Sequence, residues 1–203
     1  MKYQELKKAL KVPYFNKMDL NQRNLKVYPY QFNLWTKKGA IGKLKRGMHF
    51  FIENIMDIES EEIAFFIYNP SYISLEYALS HYGLIPEAVF SITSVTTLAN
   101  RSFKNQFGNF LYKHLKPELF FGYKSVNTRF GKYLLAEPEK AVLDYFYLNL
   151  GKIDNNEDIE ELRINEEIFN EIIDKKKLEK YLKIFNIKKL NKTINLLIEI
   201  CSR

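Results

Sequence analysis

Apolar positions at three- and four-residue spacing open the chain. Tyr3, Leu6 and Leu10 share one face of a helix over Met1 to Leu10, and Pro13 closes it. Phe15 to Leu20 reads as a short second helix with Asn16 as its N-cap. Pro29 suits the first turn of a third helix, where its missing N–H costs little. Tyr28, Phe32 and Trp35 are expected to share the inward face of that helix, and Gly39 to end it. Its opposite face carries Tyr30, Asn33 and Lys37, with Gln31 beside them. From Ile41 to Phe51 apolar positions alternate around Arg46-Gly47, the pattern of a β-hairpin, and Lys43, Lys45 and Arg46 are expected at its tip. Three short helices followed by a basic hairpin predict a winged helix-turn-helix over residues 1–53.

Beyond a boundary at 53–59 the pattern changes. Ser60 is expected to cap a helix through Tyr68, with Glu61 and Glu62 favoured in its first turn. A second helix from Ser74 to Tyr82 ends at Gly83. Val89 to Thr96 alternates and is β-branched, as in a strand. Phe103–Phe107 and Phe110–His114 flank Gly108-Asn109, a hairpin-turn signal, and Leu119–Tyr123 and Tyr133–Ala136 add further strands. Pro138 opens a helix to Leu150, apolar on nearly all sides and so expected against the sheet. Trp35, Leu79, Leu84, Val142 and Phe146 are predicted deep in the core. The tail, residues 151–203, reads as helical. One helix runs from about Asp174 to Phe185, with Leu178, Tyr181, Leu182 and Phe185 inward, and another from Lys188 to about Ile200. The expected fold class is α+β: the winged module, then a mixed α/β domain over 59–203 with a mainly antiparallel sheet and the helical tail.

Charge changes the picture once it is located. Residues 1–50 hold 12 Lys and Arg against 2 Asp and Glu, residues 51–150 hold 8 against 11, and the remainder 11 against 11. A basic leading block ahead of a near-neutral body points to a polyanion-binding module, and Lys26, Tyr30, Gln31, Asn33, Lys37, Lys43, Lys45 and Arg46 are its candidate DNA contacts. In such a module the hairpin grips phosphate while the third helix reads base edges. The partner expected is double-stranded DNA. No apolar run approaches the roughly 20 residues a bilayer span requires, so no membrane partner is expected. The leading residues lack a signal-peptide pattern. The single cysteine, Cys201, leaves no intrachain disulfide, in keeping with a reducing, cytoplasmic setting.

Catalytic, cofactor and metal residues are not assigned. Glu137, Glu139 and Lys140 sit together before a helix, but metal-dependent cleavage needs carboxylates converging on one point, and no suitable upstream Asp accompanies them. Ser71, Ser74 and Thr93 lack a His/Asp arrangement, and no glycine-rich phosphate loop occurs. His49 reads as a hairpin side chain packed beside Phe50, and His81 and His114 as structural. The chain is not expected to be an enzyme.

Pro70-Ser71-Tyr72-Ile73-Ser74-Leu75-Glu76-Tyr77-Ala78-Leu79-Ser80-His81-Tyr82-Gly83-Leu84-Ile85-Pro86-Glu87 resembles the signature stretch of AbiEi-type antitoxins. So do Ile92 to Thr96, Phe120-Phe121-Gly122-Tyr123, and Ala136-Glu137-Pro138-Glu139-Lys140-Ala141-Val142-Leu143-Asp144, and the basic-glycine turn at Lys45-Arg46-Gly47. The resemblance covers residues 1–150 well and the tail loosely. It implies an autorepressor that binds inverted repeats in its own promoter through the N-terminal domain. The C-terminal domain would counteract a co-encoded nucleotidyltransferase-like toxin in phage defence by abortive infection, without requiring a stable complex with it. Two alternatives stay open: a plain winged-helix regulator whose larger domain binds a ligand or protein partner, and an interaction module whose basic block takes acidic partners.

Overall fold

A computed structural model of the chain describes residues 1–153 and 156–202; Asp154, Asn155 and Arg203, within the tail, lie outside the described residues. The chain begins with α1 (Tyr3–Ala9), β1 (Tyr14–Asn16), α2 (Lys17–Gln22), α3 (Pro29–Lys37), β2 (Ile41–Lys45) and β3 (Met48–Phe51). Local chemistry sets these limits. The Asn16 side chain accepts the N–H groups of Met18 and Asp19, and the Asp19 carboxylate accepts the Asn16 N–H at 2.7 Å, so both ends of a capping box are made. Pro29 occupies the first turn of α3. Gly47 turns the β2–β3 hairpin at φ +77°, a conformation that L side chains rarely adopt.

The strands form an antiparallel sheet in the order β1-β3-β2. Alternation gives this sheet two buried faces. Phe15, Ile41 and Phe51 close a core with Leu6, Leu10, Leu20 and Trp35 under the helices. Tyr14, Leu44 and Phe50, on the other face, belong to the core of the remainder of the chain. The hairpin is therefore docked on the larger unit. Tyr28 was expected inward; it is the N-cap of α3, is 54% exposed, and stacks on Tyr30 at 6.0 Å.

The larger unit is a six-stranded sheet of β4 (Ser71–Ile73), β5 (Ser91–Thr96), β6 (Arg101–Asn105), β7 (Gly108–His114), β8 (Tyr123–Asn127) and β9 (Lys132–Ala136), in the order β6-β7-β5-β4-β9-β8. It is mixed, with antiparallel pairings in the majority: β4–β9 and the six-residue β5–β7 pairing run parallel, while β4–β5, β6–β7 and β8–β9 are antiparallel. Gly108-Asn109 was expected as a turn but opens β7. The turn falls at Gln106-Phe107, where Asn105 Oδ1 accepts the Phe107 N–H at 2.8 Å. The strand expected over Leu119–Tyr123 is a 3₁₀ turn at Pro117–Leu119, with β8 starting only at Tyr123.

Around the sheet lie α4 (Ser60–Ile67), α5 (Leu75–His81), α6 (Pro138–Asn149), α7 (Asn156–Glu160), α8 (Glu166–Ile172), α9 (Lys175–Phe185) and α10 (Lys188–Ile200). Ser60 does not cap α4; its hydroxyl donates to the Phe107 carbonyl at 2.8 Å and ties the helix to the β6–β7 turn. Pro138 opens α6, and Asp174 caps α9 by accepting the Lys176 and Lys177 N–H groups. Leu178, Leu182 and Phe185 on α9 and Leu190, Ile194 and Leu197 on α10 pack inward. Trp35, Leu79, Leu84, Val142 and Phe146 are all buried as predicted. No helix among the described residues is long and apolar enough to cross a membrane.

At the centre, Lys140 and Asp144 form an ion pair one turn apart on α6, both side chains fully buried. Asp144 Oδ2 accepts the Tyr72 and Ser74 hydroxyls at 2.8 and 2.9 Å, and the Lys140 ammonium donates to Tyr72 at 2.8 Å. The ring faces of Phe121 and Phe185 lie 5.1 and 5.0 Å from that ammonium. This network joins β4, α6 and α9.

Candidate nucleic-acid interface

Between Asp19 and Glu53 the chain holds no acidic residue, and in that interval lie Arg23, Lys26, Lys37, Lys38, Lys43, Lys45 and Arg46. Folding α3 and the β2–β3 hairpin from this stretch gives a surface with no carboxylate of its own to neutralise its lysines. Residues three and four apart fall on one helical face, and Tyr30, Asn33, Leu34 and Lys37 all emerge from α3 exposed. Lys26 is exposed just ahead of the helix, and Lys43 and Arg46 are exposed on the hairpin.

Two candidate contacts are placed elsewhere. Gln31 is buried: its Oε1 accepts the Tyr28 N–H at 2.9 Å and its Nε2 donates to the Met1 carbonyl at 2.6 Å. The cause is its position as third residue of α3, where an amide side chain reaches back to close the capping box. Its hydrogen bonds hold the helix start against the N-terminus, and the side chain is buried rather than presented at the surface. Lys45 was expected at the hairpin tip. The bulge between Lys43 and Lys45 turns it toward the larger unit, where its ammonium lies 5.0 Å from the Phe103 ring and 5.7 Å from the Tyr68 ring. Burial there pushes its pKa down.

Sequence reasoning missed the apolar part of this surface. Leu34, one turn on from Tyr30 of the exposed, stacked Tyr28–Tyr30 pair, is 44% exposed, and Met18 on α2 is 67% exposed. The signal was present in the spacing of Leu34 from Tyr30, but an exposed leucine is indistinguishable from a core one until the facing elements are known.

His49 packs as a flat ring instead of lying beside Phe50. It stacks on Phe32 at 4.8 Å and on Phe15 at 5.8 Å, bracing the hairpin against α3. Burial, and then the charge of Lys43, hold its pKa below the ordinary imidazole value.

The carboxylates near the start of α6 converge on the Lys177 ammonium, as ion-pair partners between helices. Glu137 accepts the Tyr181 hydroxyl at 2.6 Å and pairs with Lys177 at 3.0 Å. Glu139 accepts the Asp174 N–H at 3.0 Å and faces Lys177 at 3.2 Å, while Lys140 turns into the core toward Asp144. They join α6 to α9.

No protein-family model matches this chain, and no curated protein does. The acid-free basic surface and its exposed helix therefore carry the functional reading.

Proposed function

We propose that residues 1–53 form a winged helix-turn-helix that binds double-stranded DNA, with α3 in the major groove and the β2–β3 hairpin along the phosphates. The order helix, strand, two helices and a hairpin, closed into one small antiparallel sheet, supports this reading. The observation that carries it is the absence of any acidic residue between Asp19 and Glu53, across the segment that builds both α3 and the hairpin. Tyr30, Asn33 and Leu34 supply hydrogen bonds and apolar contact to base edges, and Lys26, Lys37, Lys43 and Arg46 contact phosphate.

On this reading the chain is an autorepressor and antitoxin, its larger unit counteracting a co-encoded nucleotidyltransferase-like toxin; the resemblance of the stretches from Pro70 to Glu87 and Ala136 to Asp144 supports that part. The decisive test titrates the chain with its own promoter fragment over a range of salt. Replacing Lys26, Lys43 and Arg46 together with alanine should weaken binding to all duplexes and flatten the slope of log K against log salt by up to about 0.9 per lost contact. An unchanged slope would refute phosphate contact by these residues. Co-expression with the neighbouring toxin gene tests the antitoxin role, and continued growth arrest in the presence of folded antitoxin would refute it.

A further inference from the structure

Where the N-terminal sheet meets the larger unit, a cleft of about 620 Å³ opens between them. Its walls come from both sides, with Tyr14, Lys45 and Met48 facing Glu62, Phe65, Phe66, Tyr68 and Lys132. The volume falls within the range of about 300–1,000 Å³ typical of small-molecule sites.

Glu62, which lines this cleft, is the unusual group. Its side chain is 1% exposed, so its carboxylate needs partners inside the protein. One oxygen, Oε1, accepts the Tyr14 hydroxyl across the junction between the units. The other, Oε2, has no hydrogen-bond partner among the described residues. A buried acceptor left unpaired is costly, and such groups in folded proteins call for an explanation. The backbone keeps the pair free of a further side chain: a Cβ at Gly131 would lie 2.7 Å from both Glu62 Oε1 and the Tyr14 hydroxyl oxygen.

The other walls restrict what donor fits. Tyr14 and Phe66 pack against each other at 4.6 Å with their planes tilted by 51°, and Phe65 and Tyr68 add further aromatic surface, so a flat body has ring faces to lie on, though not a slot between Tyr14 and Phe66. Lys45 and Lys132 bring two positive charges to the same cleft, which favours a ligand with a negative group. A free amine would satisfy Glu62 but meet those lysines unfavourably. A simple anion would satisfy the lysines and leave Glu62 unpaired. A planar base bearing an N–H edge at one end and a phosphate at the other answers all three demands. Among nucleobases, guanine offers two adjacent donors on one edge, one for the free Oε2 and one for the second lone pair of Oε1, which Tyr14 occupies only in part.

We infer that the cleft between the N-terminal unit and the larger unit is a binding site for a small planar anion of the guanine-nucleotide type, its N–H edge on Glu62 and its phosphate toward Lys45 and Lys132. The site does not depend on the DNA reading above, and its test contains no DNA.

Calorimetric titration of the full chain with GMP, guanosine, AMP and inorganic phosphate decides it. Saturable binding of GMP is expected, weaker binding of AMP, which offers one donor on the corresponding edge, and no comparable binding of phosphate. Glu62→Gln retains an acceptor for Tyr14 but puts an NH₂ donor where the free oxygen stood, so it should weaken GMP by about ten-fold or more. Lys132→Ala alters an exposed side chain and leaves the core intact; it should weaken GMP several-fold and leave guanosine unchanged. The inference is overturned if GMP fails to bind at millimolar concentration or AMP binds equally well. It is also overturned if phosphate alone reproduces the binding, or if the folded Glu62→Gln and Lys132→Ala variants bind GMP as the parent does.

Discussion

Asp144→Ala is the sharpest perturbation of the fold. Asp144 and Lys140 are both fully buried, and the carboxylate also accepts the Tyr72 and Ser74 hydroxyls. Burial pushes the Asp144 carboxyl up and the Lys140 ammonium down, and their mutual attraction opposes both shifts. Deleting the carboxylate leaves the ammonium with the Tyr72 hydroxyl and three ring faces as its surroundings. Breaking a buried pair from one side costs about 3–5 kcal/mol, against a total stability of about 5–15 kcal/mol for a natural domain. For a chain of this size that corresponds to a fall in Tm of about 6–20 °C. Urea unfolding followed by circular dichroism measures it. The double variant Lys140→Met with Asp144→Asn removes the stranded charge and keeps an acceptor for Tyr72 and Ser74, so it should recover most of the loss. A single variant within about 1 kcal/mol of the parent, or a double variant no better than the single, would refute the account of the pair as a desolvated joint.

Gln31→Ala should cost about 1 kcal/mol of stability, read as a shift in urea midpoint, and leave the salt slope of DNA binding unaltered, because its amide caps α3. Asn33→Ala should do the reverse, losing about 1–3 kcal/mol of operator affinity with an unchanged midpoint and intact non-specific binding. Arg46→Ala should reduce the salt slope by up to about 0.9, whereas Lys45→Ala, whose ammonium rests on aromatic rings, should scarcely change it; equal effects would place Lys45 on the DNA. The depressed pKa of His49 means that the unfolded chain takes up its proton first as pH falls. Its contribution to stability is thus complete above about pH 6.5 and is lost as pH drops through the lowered folded value. Thermal melts on either side of that pH should show a smaller acid loss for His49→Phe than for the parent, and equal losses would exclude His49 as a source.

The stretch from Ala136 to Asp144, one of those that carry the antitoxin resemblance, supplies the buried joint and the α6–α9 bridges.

Part of what depends on near neighbours along the chain was legible in it, although the Ser60 cap, the Gly108-Asn109 turn and the Leu119–Tyr123 strand were misplaced. The Asn16 and Asp174 caps, Pro29 and Pro138 at helix starts, the Arg46-Gly47 turn and the inward faces of α9 and α10 depend on residues within one or two turns. The basic composition of residues 1–50 and the exposure of Tyr30, Asn33 and Lys37 belong to the same class. Tertiary structure alone decided the rest. A three-residue strand such as β1 or β4 carries too little alternation to announce itself and exists through its pairing partners, β3 for the one and β5 and β9 for the other. Whether Gln31 faces a base or the Met1 carbonyl, whether Lys45 meets solvent or the Phe103 ring, and whether Lys140 finds Tyr72 depend on groups brought close from 30 to 68 positions away. Side-chain identity along the chain reports what a residue is able to bond; only the packing of distant segments determines which bond it makes.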